Sequence, residues 1–474
     1  METMQGEKKI LLLNPPGSKQ YNRDTFCSGT TKGNYSWPPM DLLCLSGILY
    51  GKHDIHVLDA MVNRMPKQDC LNQIKKLDVD TLIFLTGVAS WREDFAFIKK
   101  IKQYKKSIDI IGIGGFFLHL GEKTIKESKF LDAILLDFTT DDILTYLSNP
   151  TGKINNVIYR KNNQIINGGI VPPKNRTFSY PVPRHELFPI KSYKLPLIRH
   201  YPFTNMLFSL GCVHRCKFCP YGQGVPLYTY RDVENTIEEM RYIKSLGIRE
   251  IRFMDYSISI NKPNLKKLCE RMVEEKFNFA WHALSKVDEV DEELLTLMKK
   301  SGCQTLLFGI ENGDQRILDK YAKGITIERI EKTVSTCKKL GISVLAHFIL
   351  GLPGEDEESV NKTIDFSIKL DPDYADFAIA SPYLGSAMRD EAIENGWIDK
   401  KFKNDVFSDS AQYPIMETDK LSKEDMWRLK NRATRKFFFR PSYIFKRIKQ
   451  LGSLEDFIVQ TKVAFSLLTK MKRE

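Results

Sequence analysis

Long apolar runs, an even set of cysteines and low-complexity tracts are all missing from this 474-residue chain. No apolar stretch approaches the ~18 residues needed to span a bilayer. The start offers only Ile10 to Leu13, behind Glu2 and Glu7, which is too short for a signal peptide, so a cytoplasmic protein is expected. Nine cysteines are too few and too odd in number for a disulfide-stapled secreted protein. With 42% hydrophobic, 27% charged and 11% aromatic residues, disordered and collagenous classes are excluded. Lys+Arg exceed Asp+Glu by 71 to 59, a net +12. Residues 421–474 alone hold 14 Lys+Arg and 5 Asp+Glu, so the tail carries +9 and the rest of the chain only +3. That distribution weakens nucleic acid as the partner. An anionic membrane surface, an acidic apolar substrate and a Lys-rich background stay open.

What is present is alternation. Residues 1–145 read as strands (Lys9 to Leu13, Ile55 to Leu58, Thr81 to Thr86, Ile108 to Ile113) separated by helices such as Met40 to Leu49 and Glu93 to Lys105. Alternating strands and helices imply a parallel doubly wound sheet, whose ligand end would lie at the loops Asn14 to Pro39, Gly87 to Trp91 and Gly114 to Leu118. Residues 146–195 read as a hairpin, Val157 to Ile166 turning at Asn162-Asn163, and a Pro-rich connector. Residues 196–410 show six further strands: Met206 to Leu210, Glu250 to Met254, Phe279 to Leu284, Gln304 to Ile310, Ile342 to Leu350 and Tyr374 to Ala380. A barrel and an open sheet both suit that spacing. Each strand ends in a polar or glycine-rich cluster, which favours one shared site. Residues 411–474 form a basic helical extension with Ser422 as a candidate N-cap.

Cys212, Cys216 and Cys219 fall within eight residues after a strand, while the other six cysteines stand singly. Thiolates so spaced bind zinc or the iron of a sulfide cluster. Structural zinc needs a fourth ligand, and His214 would have to fold back on its own loop to supply it. A cubane [4Fe-4S] cluster on three cysteines leaves one iron open for a substrate. Zinc and three unrelated thiols are the competing readings.

Cys212-x3-Cys216-x2-Cys219, with Phe218 before the last cysteine, resembles the signature of the radical S-adenosylmethionine (SAM) superfamily. Its supporting pattern follows in order. Phe253-Met254-Asp255 resembles the element contacting the SAM amino group, and Phe308 to Gly313 the one whose acid, here Glu311, contacts SAM. Phe348 to Glu355, with Ile349 and Gly351, resembles the stretch cradling the adenine side, and Ser381 to Ser386, with Pro382, the sixth-strand turn. Lys286 stands where relatives often carry the Arg that meets the SAM carboxylate. The resemblance implies a partial (β/α)6 barrel. It also implies reductive cleavage of SAM to a 5′-deoxyadenosyl radical, and an electron donor such as flavodoxin or ferredoxin.

The N-terminal part resembles the Rossmann-like cobalamin-binding domain that precedes the barrel in one class of these enzymes, on Asn14-Pro15-Pro16, Trp37 to Leu43 and Ile113-Gly114-Gly115. The Asp-x-His-x-x-Gly element is absent, and His56 reads as a strand residue. Trp427, Phe437 to Phe439, Arg440-Pro441 and Tyr443 resemble the C-terminal extension of cobalamin-dependent relatives acting on apolar molecules. These aromatics would pack on the barrel or contact a membrane peripherally. The implied cofactors are a [4Fe-4S] cluster, SAM and cobalamin; the implied activity is methylation of an unactivated carbon of an apolar small molecule. Oxidative cyclisation or rearrangement is the alternative within the family, and a zinc-stabilised nucleic-acid-binding protein the alternative outside it.

Overall fold

A computed structural model describes residues 7–31, 35–148, 150–221, 227–398 and 413–449. Two compact units divide these residues. The first comprises 7–31, 35–212 and 227–280, the second 213–221, 281–398 and 413–449.

The first unit opens with β1 (Lys9–Asn14), a hairpin of β2 (Tyr21–Asp24) and β3 (Cys27–Thr30), α1 (Met40–Leu49), β4 (Asp54–Asp59) and α2 (Lys67–Leu77). It continues through β5 (Thr81–Leu85), α3 (Trp91–Tyr104), β6 (Asp109–Ile113), α4 (Phe116–Glu127), β7 (Ala133–Leu135), α5 (Asp142–Ser148), β8 (Val157–Lys161) and β9 (Gln164–Asn167). Ile10 to Leu13 and Leu82 to Leu85 are fully buried, as expected of parallel strands covered on both faces. The sheet order is β4-β1-β5-β6-β7-β8-β9. Its five parallel strands thus run 2-1-3-4-5 in sequence terms, a doubly wound order whose switch point lies between β1 and β5. The expected hairpin is present: β8 and β9 pair antiparallel across Asn162 and Asn163, both at positive φ (48° and 63°), the torsions of a two-residue turn.

The same unit then carries β10 (Thr177–Phe178), β11 (Phe203–Met206), β12 (Ser209–Leu210), β13 (Thr229–Arg231), α6 (Val233–Ser245), β14 (Glu250–Phe253) and α7 (Lys262–Glu274). The strand expected at Met206 to Leu210 is in fact two. β11 ends at Met206 and pairs with β14, whereas Ser209-Leu210 peels away to pair with β13. Pro263 is the second residue of α7, behind the Asn261 N-cap; its missing N–H is harmless there. One apolar core joins both parts of the unit: Leu12, Ile83 and Leu43 pack in one cluster with Tyr193, Phe203, Leu207 and Met254.

The second unit is built on four parallel strands in the order β15 (Ala280–Ser285), β16 (Cys303–Glu311), β17 (Ser343–Leu350) and β18 (Tyr374–Ile379). Between and after them run α8 (Glu292–Lys300), α9 (Gln315–Lys320), α10 (Ile327–Lys339), α11 (Glu357–Leu370), α12 (Ala387–Glu394), α13 (Lys423–Phe438) and α14 (Pro441–Lys449). The other two of the six strands expected in residues 196–410, β11 and β14, belong to the first unit.

Ser422 caps α13 as expected, in a reciprocal box with Asp425. This helix packs on unit 2 through Met426, Leu429, Ala433 and Phe437, and the Phe437 ring meets Phe377 edge-on at 6.0 Å. Five of the tail's basic residues are spent within the unit: Arg428 and Arg432 pair with Glu357, Lys436 with Asp365, and Arg440 and Lys446 with Asp371. Phe437 and Tyr443 are therefore buried within the unit and these charges face its acids, whereas Phe439, Ile444, Phe445 and Ile448 stay exposed. Residues 450–474, part of the expected membrane contact, lie outside the described residues. Among the described residues no helix is long and apolar enough to cross a membrane.

Candidate active site

In unit 2 the expected site residues stand directly after successive strands. Lys286 follows β15, Glu311 closes β16, Gly351 follows β17 and Pro382 lies just beyond β18. Glu311 is held unusually. A bulge between Gly309 and Glu311 breaks the pairing of β16 with β17, and Glu311 takes a left-handed φ of 65°. A non-glycine residue in that region is uncommon and strained, and a bulge re-aims a side chain. Its carboxylate accepts from Lys323 Nζ at 2.7 Å, with both side chains about nine-tenths buried. Gly309 makes the room: a Cβ there would fall 2.8 Å from Lys323 Nζ and closer still to Glu311 Oε1.

The cysteine loop of unit 2 is stitched to the same place. Lys217 N–H donates to the Tyr321 carbonyl at 3.0 Å, Met388 N–H donates to the Lys217 carbonyl at 2.9 Å, and Cys219 N–H to the Cys216 carbonyl at 3.1 Å. Phe218 lies 6.3 Å from the Tyr321 ring and 5.8 Å below Lys323 Nζ. Phe218 and Ile349 line the same apolar cluster with Leu352 and Met388. Burial pushes the Cys216 thiol up, opposed by the positive charge of Lys323 and Lys286. Lys286 Nζ donates to Asp288 at 2.5 Å and reaches the Gly324 carbonyl at 3.5 Å. His214, expected not to serve the triplet, turns to Glu289, with Nε2 and Oε1 2.5 Å apart.

The turn after β17 is organised from inside by a residue that sequence reasoning left out of the site. Glu355 is fully buried; it accepts from Leu352 N–H and Asn312 Nδ2, each at 2.8 Å, and burial pushes its carboxyl up to about 7. Asn312 in turn bonds Thr363 Oγ1 and the Asp314 N–H, tying the ends of β16 and β17 to α11. Gly351 sits at φ 81° with Met426 of α13 packed where a Cβ would be. Pro382 is buried, and its carbonyl accepts from Arg389 Nη1 at 3.0 Å.

In unit 1, Asp255 lies two residues beyond β14, 2% exposed. Oδ1 accepts from Ser209 Oγ at 2.6 Å, whereas Oδ2 has no hydrogen-bond partner among the described residues. Burial pushes this carboxyl up to about 7. A buried carboxylate oxygen without a donor fits a ligand that brings one, such as an amino group. Cys212 lies two residues past β12; none of Cys212, Cys216 and Cys219 is in a disulfide. Three thiols are the donor type that a thiolate-held iron–sulfur cluster requires; among the described residues no three Cys, His, Asp or Glu side chains converge on one point.

At the carboxyl ends of β1, β4 and β5 lies a second polar centre, also in unit 1. Arg23 of the β2–β3 hairpin donates through Nη2 and Nε to the Asp94 carboxylate (2.7 and 3.0 Å) and through Nη1 to Asn14 Oδ1 (2.9 Å). Asn14 Nδ2 and Tyr193 hydroxyl both donate to Asp59. Asp24 accepts from Trp37 Nε1 and from the first N–H of α1. A small cleft opens there between Tyr21, Asn22, Trp37, Met61 and Val62, and no histidine lines it. Its lining is mixed, with the charged Arg23, Asp24 and Asp59 beside these rings, apolar groups and amides. His56 stays on β4, bonded to Asp54 at 3.3 Å. The hairpin tip reaches toward Asp255: the Tyr256 hydroxyl donates to the Thr25 carbonyl at 3.2 Å, and the Phe26 ring lies 4.9 Å from that of Tyr256.

Residues 206–367 match the family model described as Radical SAM superfamily. An uncharacterized methyltransferase of Pyrococcus horikoshii is 30% identical over 449 residues, 93% of this chain and 94% of its own. The chain belongs to the radical SAM superfamily. An anaerobic magnesium-protoporphyrin IX monomethyl ester cyclase of Rubrivivax gelatinosus is 24% identical over 86% of this radical SAM chain and 75% of its own length. Two solved folds resemble it. The radical SAM methyltransferase TsrM of Kitasatospora setae, solved with cobalamin and a [4Fe-4S] cluster, gives a TM-score of 0.65 at 18% identity over 82% of this chain and 78% of that one. The cobalamin-dependent radical enzyme OxsB, with aqua-cobalamin and SAM, gives 0.73 at 13% identity over 98% and 72%. At such identities they show a shared architecture, a doubly wound domain ahead of a radical SAM barrel.

Proposed function

We propose that this radical SAM enzyme is a cobalamin-dependent methyltransferase acting on an unactivated carbon of a small apolar molecule. Cys212, Cys216 and Cys219 would hold the [4Fe-4S] cluster. Asp255 would receive the SAM amino group on its open oxygen, Lys286 would meet the SAM carboxylate, and Glu311 would contact SAM from the end of β16. Ile349 and Gly351 would flank the adenine, with Phe218 and Pro382 closing the walls. When bound, the cluster supplies the electron that cleaves SAM, and cobalamin carries the methyl group. The chain's own part would be to orient and to exclude water: Glu355 holds the Gly351 turn, and Met426 and the apolar cluster on which Phe218 packs would shut out solvent.

The order of the N-terminal sheet carries this reading. Its switch point forms a second ligand end, whose hairpin tip touches the residue after Asp255. Radical chemistry at the barrel alone needs no such crevice. The test is retention of cobalamin by the full chain after anaerobic loading and gel filtration, followed by absorption. About one per chain is expected, with loss in Val62→Arg, which fills the cleft; a wild-type chain that retains none contradicts the cobalamin assignment. Oxidative cyclisation is the second reading, favoured by the cyclase relative that spans most of both chains, and it shares the SAM site.

A further inference from the structure

Lys323 belongs to none of the strand-end motifs, yet the turn after α9 is shaped to present it. Its neighbours Ala322 and Gly324 both take left-handed torsions (φ 52° and 67°), and its own N–H donates to the Leu318 carbonyl at 2.9 Å. The side chain runs inward, 8% of the residue exposed, to end 2.7 Å from Glu311 Oε1 and 5.8 Å over Phe218. The preceding turn residue, Tyr321, accepts the Lys217 N–H, so one segment holds both the lysine and the cysteine loop. Burial disfavours the ammonium, but the Glu311 carboxylate in contact with it keeps it charged.

We propose that Lys323 is a positioning residue that holds the Glu311 carboxylate in its bulge and places a permanent positive charge beside the Cys216 and Cys219 thiolates, making the cluster they hold easier to reduce. Reduction adds one electron, from an external low-potential reductant, and no bond or proton changes hands. A buried cation favours the form carrying one more negative charge, and Glu311 opposes it. The inference rests on the cluster assignment proposed above.

The test uses the full chain, reconstituted with iron and sulfide, equilibrated without SAM at fixed ambient potential with dithionite and mediators. The reduced fraction is read by electron paramagnetic resonance. Lys323→Met is expected to lower the reduced-to-oxidised ratio about tenfold, equivalent to about 59 mV for one electron, and Lys323→Arg to restore most of it. Glu311→Gln is expected to raise the ratio, a reversal of sign that lost packing alone would not produce. An unchanged ratio in iron-loaded Lys323→Met overturns the proposal, as does Glu311→Gln shifting in the same direction as Lys323→Met. Where Lys323→Met takes up no iron, Glu311→Gln decides. A wild-type chain without iron overturns the cluster assignment itself.

Discussion

Two side chains at the ends of β16 and β17 make claims that single substitutions can check. Glu355 has its carboxyl raised from 4.5 to about 7 by burial. Such a group favours the folded state most when protonated, so its contribution is complete below pH 4.5 and is lost as pH rises through about 7. Over that window it would remove on the order of 3 kcal/mol. Melting followed from pH 5 to 8 should therefore show wild-type stability falling relative to Glu355→Gln as pH rises; a constant difference would contradict the assignment. Gly309→Ala drives a methyl into the Glu311–Lys323 pair. SAM affinity, read by equilibrium binding to the reconstituted chain, should weaken about tenfold or more while α13 keeps its protection from hydrogen exchange. The three thiols stood out in the sequence because their close spacing is itself a pattern. Lys323 and Arg23 were not: each is a single cation in a chain holding 71 Lys+Arg, and only the left-handed turn and the hairpin, which no periodicity announces, turn them inward.

Among the elements, the basic tail changes most between sequence and structure. Its charge suggested an outside partner, yet α13 spends Arg428, Arg432 and Lys436 on acids of α11 and buries Phe437 completely. Exposed ion pairs contribute little, ~0.2–1 kcal/mol each, whereas deleting a buried Phe costs about 3–5 kcal/mol. Hydrogen exchange in α13 should accelerate about a hundredfold in Phe437→Ala and less than tenfold in Arg428→Ala; the reverse ranking would make docking electrostatic. The β2–β3 hairpin was read as loop because its eight strand residues are short and polar, with too little alternation to show a period. Removing one partner of a fully buried ion pair typically costs about 3–5 kcal/mol. Asp94→Asn, which leaves Arg23 poorly matched in the interior, should accordingly lower the melting temperature of the full chain by many degrees and the retention of cobalamin with it.

At the scale of the whole molecule, the fold was legible wherever burial enforces a period. Apolar runs such as Ile10 to Leu13 and Leu82 to Leu85 mark covered parallel strands. The break at Met206 was not legible, because Leu207 and Phe208 remain buried while the backbone changes partners. Nor was the shared core of the first unit, in which Phe203 and Met254 pack with the N-terminal strands. These contacts depend on residues far apart in sequence. The central claim is that three cysteines on one loop make this chain a SAM-cleaving enzyme. It is tested most directly by incubating the anaerobically reconstituted full chain with SAM and dithionite and measuring 5′-deoxyadenosine, beside Cys216→Ala treated identically. The account predicts 5′-deoxyadenosine from the wild type and none above background from Cys216→Ala; equal yields from both, or a wild-type chain holding zinc and no iron, would contradict it.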